Sequence, residues 1–421
     1  MPSRLLMYAV GLSVMAVSGH GWIGAAMAQS TEAPREFNLD EIVKVALEEH
    51  PAIMDAGGIF TQQEGERLAA GAYPNPSITV QTGSGAVRDP RSNLSRTEYQ
   101  LTLSQKLEWI GTRLARQDAA DAALAGAAIG KDEVKLNVLA DVKVAFYELL
   151  LAQQVVEIAM QNRDTVGGVA RAVKARVESG EGARFESVKA EVEVMKADQE
   201  VSSAENVVQA KRAALNALTA GALGRRFTIN GRFHAPLGAL VLDDLQARAL
   251  TGHPTVRRIQ KAVERAGHTI DKERQSRIPD VTAFGGYARE IGREAVVAGL
   301  TVPTPLWYRR EGEITTALGT KRRSEADLLR AQSELAKAIT EHLQDAETAS
   351  RKIGVFEKGL LKQAQEALRI SQMSFRFGSA GLLEVLDAQR VARQVQLEYA
   401  QAQRDLSLAV SRLERAVGEQ L

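Results

Sequence analysis

Apolar and polar positions fall into the same succession of patterns twice along the chain. Residues 77–82 and 99–104 alternate polar and apolar side chains, a period of two that marks strands with unlike faces. A polar loop at 85–96 separates them, so the pair predicts a β-hairpin. Residues 280–287 and 295–302 repeat the pattern around a loop at 289–294. After each predicted hairpin the apolar positions step by three and four, as in Leu382, Val385, Leu386, Ala388, Val391, Ala392 and Val395. That spacing predicts long helices packed along their length.

Proline and glycine set the limits of those helices. There is no proline between Pro90 and Pro236 and none after Pro305, and both tracts have strong helix composition. Each is interrupted by a cluster of small residues, with Gly180 and Gly182 in the first and Gly378 and Gly381 in the second. Glycine commonly ends a helix, so each tract reads as a helical hairpin. The first arms, 107–178 and 306–377, would extend about 105 Å at ~1.5 Å per residue. The second arms, 183–220 and 382–417, are shorter.

The two successions are copies of one plan. The segment from Leu39 to His50-Pro51 returns from Leu242 to His253-Pro254, and Pro76 returns as Pro279. Leu101-Thr102-Leu103 matches Leu300-Thr301-Val302, while Gly180 and Glu186 match Gly378 and Glu384. The chain is expected to hold two repeats, 37–222 and 240–418. In the first, Asn38 followed by Glu41 predicts a capping box. The second has Val241 in place of Asn38 and lacks it.

The hairpins raise a closure problem. Strands that alternate lipid-facing and lumen-facing side chains suit an outer-membrane barrel, but four strands cannot close one. Lipid offers no partner for an open edge. Transmembrane hairpins would therefore require several copies of the chain. The alternative is a soluble four-stranded sheet capping a helical bundle.

Composition narrows the class. Residues 1–28 read as an export leader, with Arg4 in a basic start, an apolar stretch from Leu5 to Val17 and Ala26-Met27-Ala28 as the cleavage site. The expected mature chain is 29–421. There is no cysteine, which excludes disulfides, thiolate metal sites and a thiol nucleophile. The chain carries 53 Lys+Arg against 52 Asp+Glu, and loss of Arg4 with the leader makes it neutral. That balance argues against a nucleic-acid partner. Aromatic content of 5% suits closely packed helices.

These features, in this order, resemble the TolC-type outer-membrane efflux family over nearly the whole expected mature chain. The resemblance rests on Ala46-Leu47 with His50-Pro51, Tyr73-Pro74-Asn75-Pro76, residues 103–107, Val302-Pro303-Thr304-Pro305-Leu306 and residues 383–389. Segments 107–116 and 305–314 look most like the CzcC heavy-metal branch. The resemblance implies a mainly helical fold with a β-barrel part, in which a homotrimer closes a 12-stranded barrel in outer-membrane lipid above a periplasmic helical tunnel. It implies docking on a periplasmic adaptor and an inner-membrane pump of the RND type, with passive export of substrates, among them divalent heavy metals. The rival readings are a periplasmic adaptor, with one helical hairpin among β domains, and a coiled-coil scaffold.

Candidate residues follow from that resemblance. Glu384 and Asp387 match an acidic pair near the periplasmic entrance, and three-residue spacing puts them on one helix face. A solvated face with Asp387 paired to Arg390 is the plainer alternative. The first repeat offers Glu186 with Lys189, so the charge pattern differs between repeats. An arginine that the family uses in gating would fall at Ala380. The turns at Gly180, Gly182, Gly378 and Gly381 are candidate adaptor-docking tips. Trp109, Trp307 and Tyr308 fall where barrel would meet tunnel, as membrane-interface aromatics or junction packing. His50 and His253 read as helix ends before proline rather than metal ligands. HExxH, Walker A and GxSxG motifs are absent from the sequence. The expectation is a protein without catalytic residues, metal or cofactor.

Overall fold

The computed structural model describes residues 35–89, 92–236, 238 and 240–421. The expected leader, residues 1–28, lies outside the described residues. In the first half, β1 (Arg35–Phe37) leads into α1 (Leu39–Glu49) and α2 (Pro51–Gly71). Then come β2 (Ser77–Asp89), β3 (Ser92–Leu107), α3 (Ile110–Glu178) and α4 (Arg184–Ala217). After β4 (Phe227–Ile229), the second half runs α5 (Leu242–Gly252), α6 (Pro254–Gln275), β5 (Val281–Glu290), β6 (Arg293–Thr301) and α7 (Glu311–Val355). It ends with α8 (Leu361–Arg376) and α9 (Leu382–Val417).

Local chemistry explains the boundaries of the short helices. Asn38 Oδ1 accepts the Glu41 N–H at 2.9 Å, and Glu41 returns the bond to the Asn38 N–H at 2.9 Å. The capping box is complete, whereas Val241 gives α5 no side-chain cap. His50 and His253 do more than end α1 and α5. Each also starts the next helix, its Nδ1 accepting the N–H of Ala52 or Thr255 at 3.1 Å. Proline follows at the first helical position, where its fixed φ fits and its missing N–H costs no bond.

The four long strands form one antiparallel sheet in the order β2-β3-β5-β6, and β1 pairs with β4 in a separate parallel pair. The β3–β5 ladder joins the two halves. The strands are longer than the alternating pattern predicts. The expected loop at 85–96 is strand on both sides, paired out to Asp89 and Ser92. The expected 289–294 loop shrinks to Ile291-Gly292, with Gly292 at φ 74°, since a two-residue hairpin turn needs positive φ. Continuation of the ladder satisfies backbone groups that the polar sequence would otherwise leave to solvent.

Away from the sheet the helices pack side by side, in the order α2-α3-α6-α7 near the strands. Nearer the hairpin turns the neighbours of α3 are α4 and α9, with α7 and α8 beyond α9. The largest apolar cluster lies midway, where Ile42 and Ala46 of α1 and Phe227 and Ile229 of β4 cover Val138, Val142, Phe146 and Leu149 of α3. A smaller cluster on the other side joins Leu245 and Ala249 of α5 to Ile339, Leu343 and Leu413.

The second long arm departs from expectation. It begins at Glu311 rather than 306 and is broken by a π-type turn, Phe356–Leu360, in which Gly359 has φ 152°. Only glycine reaches that conformation without severe cost. The equivalent arm, α3, is helical throughout its 69 residues.

Candidate functional site

Three candidate regions are spread along the molecule. At one end, ladder register places side chains on opposite faces of the sheet. Ile78 pairs with Leu103 and Val80 with Leu101. Leu107 pairs with Val281, Leu101 with Tyr287, and Ala283 with Leu300. Directly paired residues point the same way and alternate residues share a face. Ile78, Val80, Leu101, Leu103, Val281 and Leu300 therefore form one apolar face, with Val296 added. Thr79, Gln81, Gln100 and Thr102 lie on the other. The second hairpin is less polar there, because Phe284 covers Gly299 so closely that an added Cβ would sit 2.6 Å from its ring. The apolar face is open to solvent in one protomer, with Ile78 70% and Val296 84% exposed.

An aromatic pair closes the far end of that face. Tyr99 and Tyr287 pack with ring centroids 6.1 Å apart and their planes tilted by 40°. From Tyr99 to Leu107 the strand runs about 26 Å at ~3.3 Å per residue, similar to the ~25 Å apolar band of membrane barrels. Sequence reasoning passed over this pair because the cross-strand register is not encoded locally.

At the near end, the candidate aromatics occupy two unlike junctions. The Trp109 backbone N–H donates to Asp280 Oδ1 at 2.9 Å and its Nε1–H donates to Gln275 at 3.1 Å. Lys106 reaches Asp280 Oδ2 at 2.8 Å. Burial raises the Asp280 carboxyl, but these donors outweigh it and hold the pKa below the ordinary value. Trp109 thus belongs to a bonded joint between the halves. Tyr308 donates its hydroxyl to Glu313 at 2.6 Å and accepts the Gly312 N–H at 2.9 Å. Trp307 is 94% exposed.

The opposite end carries the two hairpin turns. Gly180 has φ 82° and Gly378 φ 75°, left-handed conformations that fit helix ends. The turns bond alike: Glu181 and Gly182 N–H groups donate to the Arg176 carbonyl, and those of Ser379 and Ala380 to the Ser374 carbonyl. A Cβ at Gly182 would sit 3.0 Å from Val177 Cγ2, a tight fit, and Ala380 takes the matching place in the second turn. Gly381 caps α9 in extended conformation at φ −84°. Val173, Ala190, Phe375, Leu382 and Val385 pack together and bring the turns side by side. Phe185 and Phe377 stay exposed there.

Just inside the turns, Glu384 and Asp387 are both exposed on α9. Asp387 pairs with Arg390 at 3.5 Å, and both side chains are mostly solvated. On the buried side of α9, Gln389 donates to Asn162 Oδ1 at 2.7 Å, and Asn162 donates to Glu200 at 3.3 Å. Arg393 also binds Glu200. This network links α3, α4 and α9, and its polar helical residues give no sign of it in the sequence.

The middle of the molecule holds ionisable groups with structural partners. Lys143 and Glu414 form a buried pair at 2.6 Å. Burial, with Glu414 and Asp40 nearby, pushes the Tyr147 hydroxyl up to about 12. His253 sits below its ordinary pKa because burial disfavours its charge, against the opposing pull of the Arg415 carbonyl and Glu133. Among the described residues no group of three or more His, Cys, Asp or Glu is placed to hold a metal. None of the described helices is long and apolar enough to cross a membrane, which says nothing about the strands.

Comparison with known proteins places this architecture. The sequence model of a family described as outer membrane efflux protein matches residues 42–221 and again 245–419. The chain is 25% identical over 389 residues to the cobalt-zinc-cadmium resistance protein CzcC of Cupriavidus metallidurans, covering 92% of this chain and 91% of that protein. It is 22% identical to the pyoverdine export outer membrane protein OpmQ of Pseudomonas putida, over 90% of this chain and 85% of that one. The solved structure of the outer membrane protein VceC from Vibrio cholerae has the same fold, with a TM-score of 0.76 at 20% identity, covering 91% of this chain and 96% of that one.

Proposed function

Because the chain belongs to the outer membrane efflux protein family and is an outer-membrane efflux channel, we propose that it works as the exit duct of a tripartite pump, drawing its energy from an inner-membrane partner. The observation that carries this reading is the four-stranded sheet, with one exposed apolar face and both edges, β2 and β6, unpaired among the described residues. Such a sheet is stable in lipid only when its edges are paired. Three copies supply twelve strands, close one barrel and leave the helices to form a tunnel in the periplasm. In this arrangement Ile78, Val80, Leu101 and Leu103 face lipid. Trp109, Trp307 and Tyr308 lie at the periplasmic interface of the outer membrane, where amphipathic rings are favoured.

The turns at Gly180, Gly182, Gly378 and Gly381 are the proposed adaptor-docking surface, and the pump is proposed to be of the RND type. They are the far ends of the long arms, and Phe185 and Phe377 offer apolar anchors beside them. Glu384 and Asp387 from three subunits are proposed to form an acidic ring at the entrance. Likeness to CzcC supports divalent heavy-metal cations as cargo. The two helical hairpins argue against the adaptor alternative, in which one hairpin is expected.

Outer-membrane fractions should contain a heat-modifiable trimer, and deletion of the gene should lower tolerance to cobalt, zinc or cadmium. Insertion of four residues at Gly180 or Gly378 should leave trimers in the membrane while abolishing that tolerance. Full tolerance with both insertions would remove the tips as the docking surface. Unchanged metal tolerance in the deletion strain would remove metals as cargo.

A further inference from the structure

The segment that crosses between the two halves carries charge of one sign. No Asp or Glu occurs between Glu205 and Asp243, whereas Lys211, Arg212, Arg225, Arg226 and Arg232 all lie there, in a chain otherwise close to neutral. Lys211 is taken up by Glu148, and Arg212 lies over the Phe227 ring. Arg225, Arg226 and Arg232 are exposed, and among the described residues none of them has an ion-pair partner. Arg35 of β1, in register with Phe227, adds a further exposed guanidinium, which Glu36 opposite Thr228 offsets.

The fold holds these arginines in place and gives them a side. Leu223, Phe227 and Ile229 are buried in the apolar cluster on α3, so the chain is pinned on either side of Arg225 and Arg226. Gly231 lies so close to Phe146 that an added Cβ would sit 2.6 Å from its ring, which seats the chain just before Arg232. Phe146 lies about 54 Å along α3 from Ile110, so the arginines are far from the barrel. Twelve helices spaced about 8–10 Å apart enclose a bore of roughly 20–28 Å. A second layer about 10 Å thick from each of three subunits would fill that bore. The crossing segment therefore lies outside the tunnel, and three copies form a belt of arginines around its middle.

Resting on the duct reading, we infer that this belt binds the cell wall through the free carboxylates of its peptide stems and anchors the tunnel where it threads the wall. A guanidinium matches a carboxylate in shape and pairs with both of its oxygens. Lipid phosphates are far beyond reach, against a screening length of about 8 Å. The glycan strands of the wall are neutral at their sugars, so the stems carry the recognition. Each contact is exposed and weak alone. Three arginines in each of three subunits act together on a polymer that repeats its carboxylates.

Purified trimers in phosphatidylcholine nanodiscs should sediment with isolated cell-wall sacculi, and added salt should weaken the association. Sacculi whose carboxyls have been amidated should lose it. The Arg225→Gln/Arg226→Gln/Arg232→Gln variant should bind about tenfold more weakly. Arg225→Lys/Arg226→Lys/Arg232→Lys keeps the charge and should recover most of the binding. The Gln variant should still form trimers of normal conductance in planar bilayers, because the belt lies outside the bore. Undiminished binding by the Gln variant, or to amidated sacculi, would overturn the proposal. Retention by phosphatidylglycerol vesicles with none by sacculi would assign the arginines to a lipid surface and overturn it as well. Conducting trimers that ignore sacculi would remove the belt alone. Sacculus-binding trimers that conduct no ions would overturn the duct reading and leave the belt standing.

Discussion

Gln389 and Asn162 meet across the boundary between the two halves, Gln389 Nε2 donating to Asn162 Oδ1 at 2.7 Å with both residues buried. Gln389 has no other partner, and its Oε1 is buried without a donor. Asn162 also reaches Glu200, which holds Arg393. Two polar contacts, Gln389 with Asn162 and Arg393 with Glu200, therefore tie the second helical hairpin to the first just inside the turns.

Asn162→Ala should strand the Gln389 amide. A buried group left without its partner costs about 1–3 kcal/mol, so the melting temperature of the purified trimer should fall and protease sensitivity near Gly378 should rise. Asn162→Leu with Gln389→Leu removes both partners and should recover part of the loss. If the single variant melts like the wild type, the bond does not hold the halves together.

Acid should destabilise the protein in two stages. His253 accepts the Thr255 N–H at Nδ1, while its Nε2 is 3.0 Å from the Arg415 carbonyl. That requires the neutral ring with the proton on Nε2, because a protonated Nδ1 cannot cap α6. Burial holds the folded pKa of His253 and His234 below the ordinary 6.5, so the unfolded chain takes up these protons first. Stability from these two groups is complete above about pH 6.5 and declines as pH falls below it. Glu133, Glu273 and Asp280 are also held below their ordinary values, despite burial, by their hydrogen-bonding donors. Their contribution is lost at lower pH, as each carboxyl is protonated. His253→Asn keeps a capping side chain but cannot titrate, so its melting temperature should fall less between pH 6.5 and 5. An equal fall in both proteins would show that His253 does not titrate on unfolding.

The sheet register can be tested directly because the chain has no cysteine of its own. With single cysteines in intact outer membranes, a membrane-impermeant thiol reagent should label position 100 rapidly and position 101 hardly at all. The same contrast should hold for positions 79 and 80. Paired strands make this an all-or-none test, since a slip of one residue exchanges the two faces. Rapid labelling at 101 with protection at 100 would refute lipid exposure of the Leu101 face.

How far the sequence revealed this molecule depended on how local each signal was. The α9 boundaries and both turns at Gly180 and Gly378 follow from glycine chemistry, and the Asn38–Glu41 box from two residues three apart. The break at Gly359 was hidden, because Gly312, Gly319 and Gly354 lie in the same arm and stay helical. Nothing adjacent to Gly359 sets it apart. Strand ends were misjudged where ladder bonds override a polar pattern. The Asn162–Gln389 bond was invisible because it depends on which helices lie beside α3. Duplication reveals the repeat but not the lateral order of its helices.

The entrance gives the sharpest electrical prediction. Glu384 and Asp387 lie on one exposed stretch of α9 near the turns, and Arg390 pairs with Asp387 at 3.5 Å. That pair is solvated, and exposed pairs contribute only about 0–1 kcal/mol, so Arg390 is free to turn away in an assembled trimer. If the stretch points inward, three subunits place six carboxylates around one axis. A ring of one sign in a constriction concentrates counter-ions and selects for them. Glu384→Gln with Asp387→Asn should then lower cation selectivity in planar bilayers and relieve block by multivalent cations, with trimers assembled normally. Arg390→Gln should act in the opposite direction, because it unmasks Asp387. Unchanged selectivity and block in both variants would leave these residues on the outer, solvated face of the hairpin, with Asp387 paired to Arg390 and no part in the pore.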